Sequence, residues 1–541
     1  MERALPRYSL TRPPDAAALV ATLEDLRPAL ADHLRAQRWF RSKARTVTAI
    51  AVGDAAVLPL PVAEAAAALV LLDVAYADGP GETYLVPLAA RPVAAARTAL
   101  AGDAAPLARL GAPAGDWLLY DGLDDPAVSA ALLRRIEDAD DIAAGAGSFG
   151  FDRTPVLSQV TGGVHPMPIA TLRRLRGEQS NTSLVCDDRL VLKVFRRLDP
   201  GENPDLELGR FLTLRARFRH VPQLAGFARY QDASGARTVA VLTAFVPNAG
   251  DGWTWSLAVL REVYAAARRR PGTDETARGE ARALPGDYLT GARRLGEVTG
   301  ALHVALASEP DDPAFAPEPV TESDLGAWGA AVEAQVARAL GELRRTAAGI
   351  GAPAAPAAAR VLAAASGAAG RIREAVARLR GVPLWKTRCH GDYHLGQVLR
   401  VTGATPDFVI LDFEGEPARP LEERRAKHSP LRDVAGMLRS FTYASYAALF
   451  EAAGGDPAAG PGLEPWREAW ESAAVDAFLA GYLGSTVERG VKLVPPSPDT
   501  RALLLSVFCL EKAAYELSYE INNRPSWLPI PLAAFERELV A

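Results

Sequence analysis

The feature that most constrains this chain is the segment Cys389-His390-Gly391-Asp392-Tyr393-His394-Leu395-Gly396-Gln397-Val398-Leu399, followed by Phe408-Val409-Ile410-Leu411-Asp412-Phe413-Glu414-Gly415-Glu416. Two apolar runs flank a short turn, the pattern of a β-hairpin. A hairpin returns its second strand beside its first. Asp392, Gln397 and Asp412 can therefore converge although they are separated by up to 20 positions. One carboxylate that orients and deprotonates a hydroxyl, with oxygen donors for magnesium close by, is what phosphoryl transfer requires. Asp392 suits the first task. The Gln397 amide oxygen and the Asp412 carboxylate form a hard metal-binding pair, which Glu414 can extend. His390 and His394 have a spacing seen in zinc sites, but they lack the helix and the third ligand; bracing the loop suits them better.

A chain of 541 residues exceeds one ordinary core, and two or three packed subdomains are expected. Residues 1–90 read as a helix over 16–38 followed by short β runs at Val47–Val52, Val57–Leu60, Ala68–Val74 and Tyr84–Leu88. Residues 91–246 contain a helix at Pro126–Glu137 and strands at Ile169–Leu175, Thr182–Val185, Leu190–Phe195 and Val239–Phe245, with a helix at Pro204–Leu214. Residues 247–541 are mostly helical, with helices expected over 255–268, 288–307, 325–347, 358–379, 430–450, 466–481 and 500–522.

A nucleotide needs its phosphates held. Gln179, Ser180, Asn181, Thr182 and Ser183 link two expected strands and offer small hydrogen-bonding groups; no GxxxxGK[ST] run occurs. Lys193 is centred in the apolar strand LVLKVF, where it suits the α- and β-phosphates. Glu207, with Glu202 as second choice, is the carboxylate expected to hold it. Thr243, Phe245 and Val246 would meet adenine through backbone groups.

The net charge of −5, from 60 basic and 65 acidic residues without a long basic run, argues against a nucleic-acid partner. Three scattered cysteines form no disulfide framework and fit a reducing compartment. No secretory signal is read at the start and no stretch spans a bilayer, so a cytoplasmic location without a membrane partner is expected.

WFRSK at 39–43, GEQSNTSL at 177–184, LVLKVFRRL at 190–198, HGDYHLGQVLR at 390–400, DFEGEP at 412–417, KHSPLRDVAGMLRSF at 427–441 and EKAAYELSYEINNRPSWLPIPL at 511–532 together resemble the maltokinases. These belong to the aminoglycoside-phosphotransferase-like branch of the protein-kinase-like superfamily. The resemblance implies an α+β, two-lobed protein-kinase-like fold with an N-terminal cap subdomain (1–90), an intermediate subdomain completing the N-lobe (91–246) and a helical C-lobe (247–541). It implies transfer of the γ-phosphate of ATP, with Mg2+, to the anomeric hydroxyl of maltose. In that scheme Asp392 is catalytic, Gln397 and Asp412 hold the metal, Lys193 meets phosphate, and Asp433 is the buried aspartate that steadies the catalytic loop. Gln397 stands where most related kinases use Asn; both supply an amide oxygen.

For the sugar, polar side chains beside an aromatic platform are expected. Asp392, His394, Glu416, Arg424, Tyr515, Glu516, Tyr519 and Asn523 are the candidates. A glucosamine kinase or an aminoglycoside phosphotransferase shares these motifs, and a pseudokinase scaffold in glucan metabolism is the non-enzymatic alternative. The family also implies association with a trehalose-isomerising enzyme. Monomer and dimer both stay open.

Overall fold

The structure, a computed structural model, describes residues 5–11, 14–100, 105–113, 115–175, 180–269, 275–284, 286–351, 354–403, 405–454 and 460–539. The chain divides into two compact units, Met1–Arg210 with Pro222–Val246, and Phe211–Val221 with Pro247–Ala541.

The first unit is built on two seven-stranded sheets. The first sheet takes β1 (Arg7–Ser9), β2 (Val47–Val57), β3 (Ala66–Tyr76), β4 (Glu82–Pro92), β5 (Ala108–Ala112) and β6 (Gly115–Asp121) in the order β1-β5-β6-β4-β3-β2. Nearly every side chain of β3 is buried, as in a strand covered on both faces. The helix Leu23–Ala36 buries Leu23, Leu26, Leu30 and Leu34 at helical spacing. β2 continues past the end expected at Val52, because the strand absorbs a register shift between Val52 and Asp54, and it stops at Val57, so the run expected at Val57–Leu60 is not a strand of its own. β4 crosses residue 90, and β5 and β6 extend the sheet to Asp121. The front sheet is thus longer than a subdomain of 1–90 would be.

The second sheet contains β7 (Ile142–Ala143), β8 (Ser148–Arg153), β9 (Leu172–Arg174), β10 (Asn181–Cys186), β11 (Leu190–Phe195), β13 (Leu224–Asp232) and β14 (Gly235–Ala244), in the order β7-β8-β13-β14-β11-β10-β9. Directly after β11, β12 (Arg197–Leu198) pairs with β4 of the first sheet. Asp54 makes a further link: its Oδ2 accepts from the Tyr230 hydroxyl at 2.6 Å and from the amides of Ala146 (3.1 Å) and Gly147 (3.0 Å). Helix Pro204–Arg210 is shorter than the 204–214 expected, and a π-helical turn takes Phe211–Arg215.

The second unit is mainly helical. Its three-stranded sheet joins Asn248–Asp251, Val398–Val401 and Asp407–Ile410, the last two forming the hairpin read from sequence. The long helix expected over 358–379 is two helices, Ala354–Ala364 and Ala368–Leu379, separated by a 3-10 turn; the Ala-rich sequence gives little sign of the break. Among the described residues no helix is long and apolar enough to cross a membrane.

Helices Gly286–Leu306 and Gly460–Ser485 touch backbone to backbone, because glycines face the contact on both. A Cβ on Gly481 would lie 1.9 Å from the Arg293 carbonyl oxygen, and one on Gly296 would lie 2.0 Å from that of Phe478. Backbone atoms cannot swing aside, so the helices would have to separate. We expect Gly481→Ala to destabilise the protein by roughly 3 kcal/mol, as overpacking does. Gly326→Ala, with nothing within 4 Å, should be neutral or slightly stabilising. Urea unfolding of both variants measures the difference.

Candidate active site

The second unit holds the hairpin loop on a buried carboxylate. Asp433, in the first turn of helix Leu431–Ala453, accepts from the His390 amide through Oδ2 (2.7 Å) and from the Gly391 amide through Oδ1 (2.9 Å). His303 Nε2 lies 3.1 Å from the same Oδ2, and its Nδ1 is 3.0 Å from the Tyr482 hydroxyl. Burial alone would raise the Asp433 pKa, but the His303 contact and the amide donors hold it below the usual carboxylate range. Gly391 takes φ 85°, a conformation that favours glycine. Gly436 lets the helix approach the loop: a Cβ there would lie 2.6 Å from the Tyr393 carbonyl oxygen.

Both loop histidines brace backbone. His390 Nε2 donates to the Leu411 carbonyl at 2.7 Å, while its Nδ1 accepts weakly from the Asp392 amide at 3.3 Å. His394 Nδ1 accepts from the Gly396 amide at 3.1 Å. Burial pushes the His394 pKa down against the pull of Asp392 and Asp412, so its ring is neutral at pH 7.

Gln397 and Asp412 meet as the hairpin implies. The Leu411 amide donates to the Gln397 carbonyl at 2.8 Å, and Gln397 Nε2 donates to Asp412 Oδ2 at 3.1 Å. Asp412 has φ 62°, which is costly for a residue with a Cβ and is the kind of outlier that clusters at functional sites. An adjacent carboxylate and amide oxygen are hard donors that fit a magnesium ion. Holding it would require the Gln397 amide to turn its oxygen toward Asp412. The Glu414 carbonyl accepts from buried Arg424 Nη1 at 3.2 Å.

Asp392 lines an open cleft with Glu416, Lys512, Tyr515, Gly391 and Gln335. Lys512 Nζ lies 3.0 Å from Asp392 Oδ1 and 3.4 Å from Glu416 Oε1. Burial would raise the Asp392 pKa, but the contacts around it, led by the Lys512 ammonium, together hold it below the usual carboxylate range and keep the carboxyl ionised. The ion pairs continue from Glu416 to Arg419 (2.6 Å), from Arg419 to Glu511 (3.0 Å) and from Glu511 to Arg432 (2.8 Å). Lys512 also sits 4.9 Å from the Tyr515 ring centre, and the Tyr515 and Tyr519 rings are 6.5 Å apart.

Three sugar candidates are engaged elsewhere. Glu516 is buried against Arg439, at 2.6 Å from Nη2, on another face of its helix. Asn523 Nδ2 donates to the Tyr519 carbonyl at 2.9 Å, within its own last turn. Arg424 grips the Glu414 backbone from a buried position. Asp392, Glu416 and Tyr515 share the cleft, and Tyr519 lies half-exposed one turn beyond Tyr515. The sequence reading missed Lys512, Arg419 and Glu511. Lys512 had one sign: it precedes Tyr515 by three positions, on one side of a helix.

The first unit carries the nucleotide candidates. Strands β10 and β11 are antiparallel, with Ser183 opposite Lys193, Thr182 opposite Val194 and Asn181 opposite Phe195. Val191 is in turn opposite Thr243 of β14. Directly opposed residues share a face, so Ser183, Lys193, Val191 and Thr243 lie on one side of the sheet. Thr182 points to the other side, where it is buried and its hydroxyl accepts from Arg196 Nε at 2.9 Å. Its alternation in the strand removes it from the candidate phosphate contacts. Lys193 Nζ donates to Asp205 at 2.9 Å, a carboxylate the sequence reading did not select. Glu207 is buried on the same helix, and Glu202 pairs instead with Arg210 at 3.0 Å. The Phe245 amide donates to the Arg189 carbonyl at 2.8 Å. Asn181 Nδ2 lies 3.4 Å from Ser180 Oγ. Val246 ends the first unit, and Gln179 lies outside the described residues.

The architecture is an α+β, kinase-like fold. A solved structure described as glucosamine kinase in complex with glucosamine, ADP and inorganic phosphate superposes with a TM-score of 0.56 at 22% identity, covering 93% of this chain and 96% of that one. Residues 33–125 match the family described as the maltokinase N-terminal cap domain. Among curated proteins, the glucosamine kinase of Streptacidiphilus jiangxiensis is 27% identical over 394 residues, 70% of this chain and 75% of its own length. That of Mycolicibacterium smegmatis (strain ATCC 700084 / mc(2)155) is 28% identical over 377 residues, 67% of this chain and 78% of its own.

The Asp433 clamp has a titration signature. Its folded pKa lies below the unfolded value of about 4, so its stabilisation is complete above that value and is lost as pH falls through the folded one. Asp433→Asn should therefore be clearly less stable than wild type at pH 7, with the gap narrowing as pH falls below about 4. Chemical denaturation across that pH range checks this.

Proposed function

We propose that this chain is an ATP-dependent sugar kinase whose acceptor is maltose, phosphorylated at the anomeric hydroxyl to give maltose 1-phosphate. The observation that carries the reading is Asp392: an ionised carboxylate at the edge of a cleft, on a loop fixed through two backbone amides, near a Gln397–Asp412 pair. That is the equipment for orienting a hydroxyl, and little covalent work is left for the protein in phosphoryl transfer.

In this mechanism an acceptor hydroxyl donates to the Asp392 oxygen that does not face Lys512. The hydroxyl oxygen bonds to the γ-phosphorus, the bond from that phosphorus to the β,γ-bridging oxygen breaks, and ADP leaves with that oxygen. The acceptor proton passes to Asp392. Because Lys512 keeps this carboxylate weakly basic, the proton moves late, and Asp392 acts first by orientation. Gln397 and Asp412 would hold a magnesium ion, which would offset charge on the transferring phosphates. Lys193, fixed by Asp205, and Ser183 beside it are proposed to meet the nucleotide phosphates.

The choice of a neutral acceptor rests on charge. Asp392 and Glu416, the carboxylates nearest the reacting position, already share the Lys512 ammonium. An amino sugar would bring a second cation beside it, which costs Coulomb energy in a partly buried site. Tyr515 and Tyr519 extend an aromatic strip suited to a second ring. The maltokinase-type cap supports the same acceptor. Glucosamine is the second reading, favoured by relatives that match over 67–70% of the chain.

A coupled ADP-release assay with maltose, glucose, glucosamine and kanamycin tests the proposal. Maltose should give the highest kcat/KM; preference for glucosamine would overturn the acceptor, and no turnover on any sugar would favour a scaffold. Asp392→Asn should lower kcat by ~10³-fold while leaving nucleotide affinity nearly unchanged. Lys512→Met should raise the KM for maltose and shift kcat/KM toward glucosamine relative to maltose.

A further inference from the structure

Groups that align a hydroxyl with a phosphate serve any sugar acceptor, so the choice among acceptors has to be made by other residues of the cleft. Most of its charged groups are already engaged with one another. Asp392 and Glu416 share Lys512, while Glu511 meets Arg419 at 3.0 Å and Arg432 at 2.8 Å. Gln335 is different. It lines the same cleft, is half-buried, and its carboxamide makes no hydrogen bond to any described residue.

Gln335 stands on helix Glu322–Thr346, outside every segment that carries the maltokinase resemblance. The helix is firmly seated. Thr321 and Asp324 form a capping box at its start, and Lys386 Nζ donates to Asp324 at 2.8 Å. Leu325, Val332 and Val336 are buried along it. Trp328 lies about two turns before Gln335, on the same side of the helix. Its ring stacks on His428 with centres 4.2 Å apart. Phe508 meets both rings, at 6.0 Å from Trp328 and 5.2 Å from His428, and itself lines the cleft. A helix anchored in this way presents the Gln335 amide more exactly than a loop could.

A carboxamide offers donors and an acceptor without a charge. Sugar hydroxyls, which both donate and accept, match it. Once a bound sugar has displaced water, an amide left unmatched costs free energy, so an analogue lacking the right hydroxyl is penalised. We infer that Gln335 is a specificity-determining residue that hydrogen-bonds hydroxyls of the acceptor and so sets which sugar the cleft takes. The inference rests on the kinase reading and deepens it, since the selecting group comes from a helix outside the shared motifs.

The test is a cycle between side chain and acceptor. Wild type, Gln335→Leu and Gln335→Glu are assayed with maltose, its monodeoxy analogues and glucosamine, and the Kd of a fluorescent N-methylanthraniloyl ATP is measured for each. Gln335→Leu should raise the maltose KM about 10-fold, the scale of a lost hydrogen bond, with the nucleotide Kd unchanged. In the wild type at least one deoxy analogue should lose about 10-fold in kcat/KM against maltose, but less than about twofold in Gln335→Leu, because both deletions remove the same bond. A merely structural role would lower all acceptors alike and leave the deoxy penalties intact. Gln335→Glu should raise kcat/KM for glucosamine relative to maltose by about fivefold, since its carboxylate meets an ammonium that the amide does not. Deoxy penalties that survive Gln335→Leu, or a maltose KM within about twofold of wild type, overturn the inference. If Gln335→Leu does not fold, Gln335→Glu decides, and an unchanged acceptor ratio there overturns it. A wild type that prefers glucosamine is a different result: it sinks maltose as the acceptor, and the same cycle is then read on glucosamine and its deoxy analogues. A wild type that phosphorylates no sugar removes the kinase reading and this inference with it.

Discussion

The cleft depends on one buried carboxylate taking two consecutive backbone amides. Asp433 fixes His390 and Gly391, so Asp392 is delivered to the cleft by its own backbone and not by side-chain preference. Hydrogen bonds to a charged partner are each worth about 1.5–3 kcal/mol net, and loss of the acceptor would leave two donors unsatisfied in the interior. Three long helices converge on this carboxylate. Leu431–Ala453 carries it, Gly286–Leu306 supplies His303, and Gly460–Ser485 supplies the Tyr482 hydroxyl that sets His303. The close contact through Gly296 and Gly481 is therefore part of the same construction, since it brings His303 and Tyr482 within hydrogen-bonding distance.

Around Asp392 the charges alternate: Asp392, Lys512, Glu416, Arg419, Glu511, Arg432. Partly buried networks of this kind contribute modestly to stability, but losing one member leaves its neighbours uncompensated. The arrangement also limits what the cleft can accept. A hydroxyl can join by donating to a carboxylate oxygen without displacing Lys512, whereas a cation must compete with it.

How far this was legible follows from the range of each interaction. The meeting of Gln397 with Asp412 could be read because a hairpin of adjacent strands enforces it, and Asp392 lies just ahead of the same turn. That Lys193 donates to Asp205 depends on the rotation of helix Pro204–Arg210, which sequence spacing alone does not give. The helix Pro498–Asn523 was expected, yet its sides were not assigned. Lys512 and Tyr515 turn to the cleft, while Glu516, the very next residue, turns to Arg439. Composition showed polar and aromatic residues there, but only packing against a neighbouring helix could sort them.

The same reasoning makes the polar run before β11 two-sided. Small hydroxyl residues invite a single reading as phosphate ligands, but a strand alternates, so adjacent members cannot serve one ligand equally. Ser183 shares its face with Lys193, and Thr182 joins Arg196 on the other. The second face is where the first sheet reaches the strands, through Asp121 and Trp39. The conspicuous WFRSK segment and the arginine pair after LVLKVF thereby acquire one shared physical reason. They are the two sides of one buried contact between the first sheet and the strands that follow it.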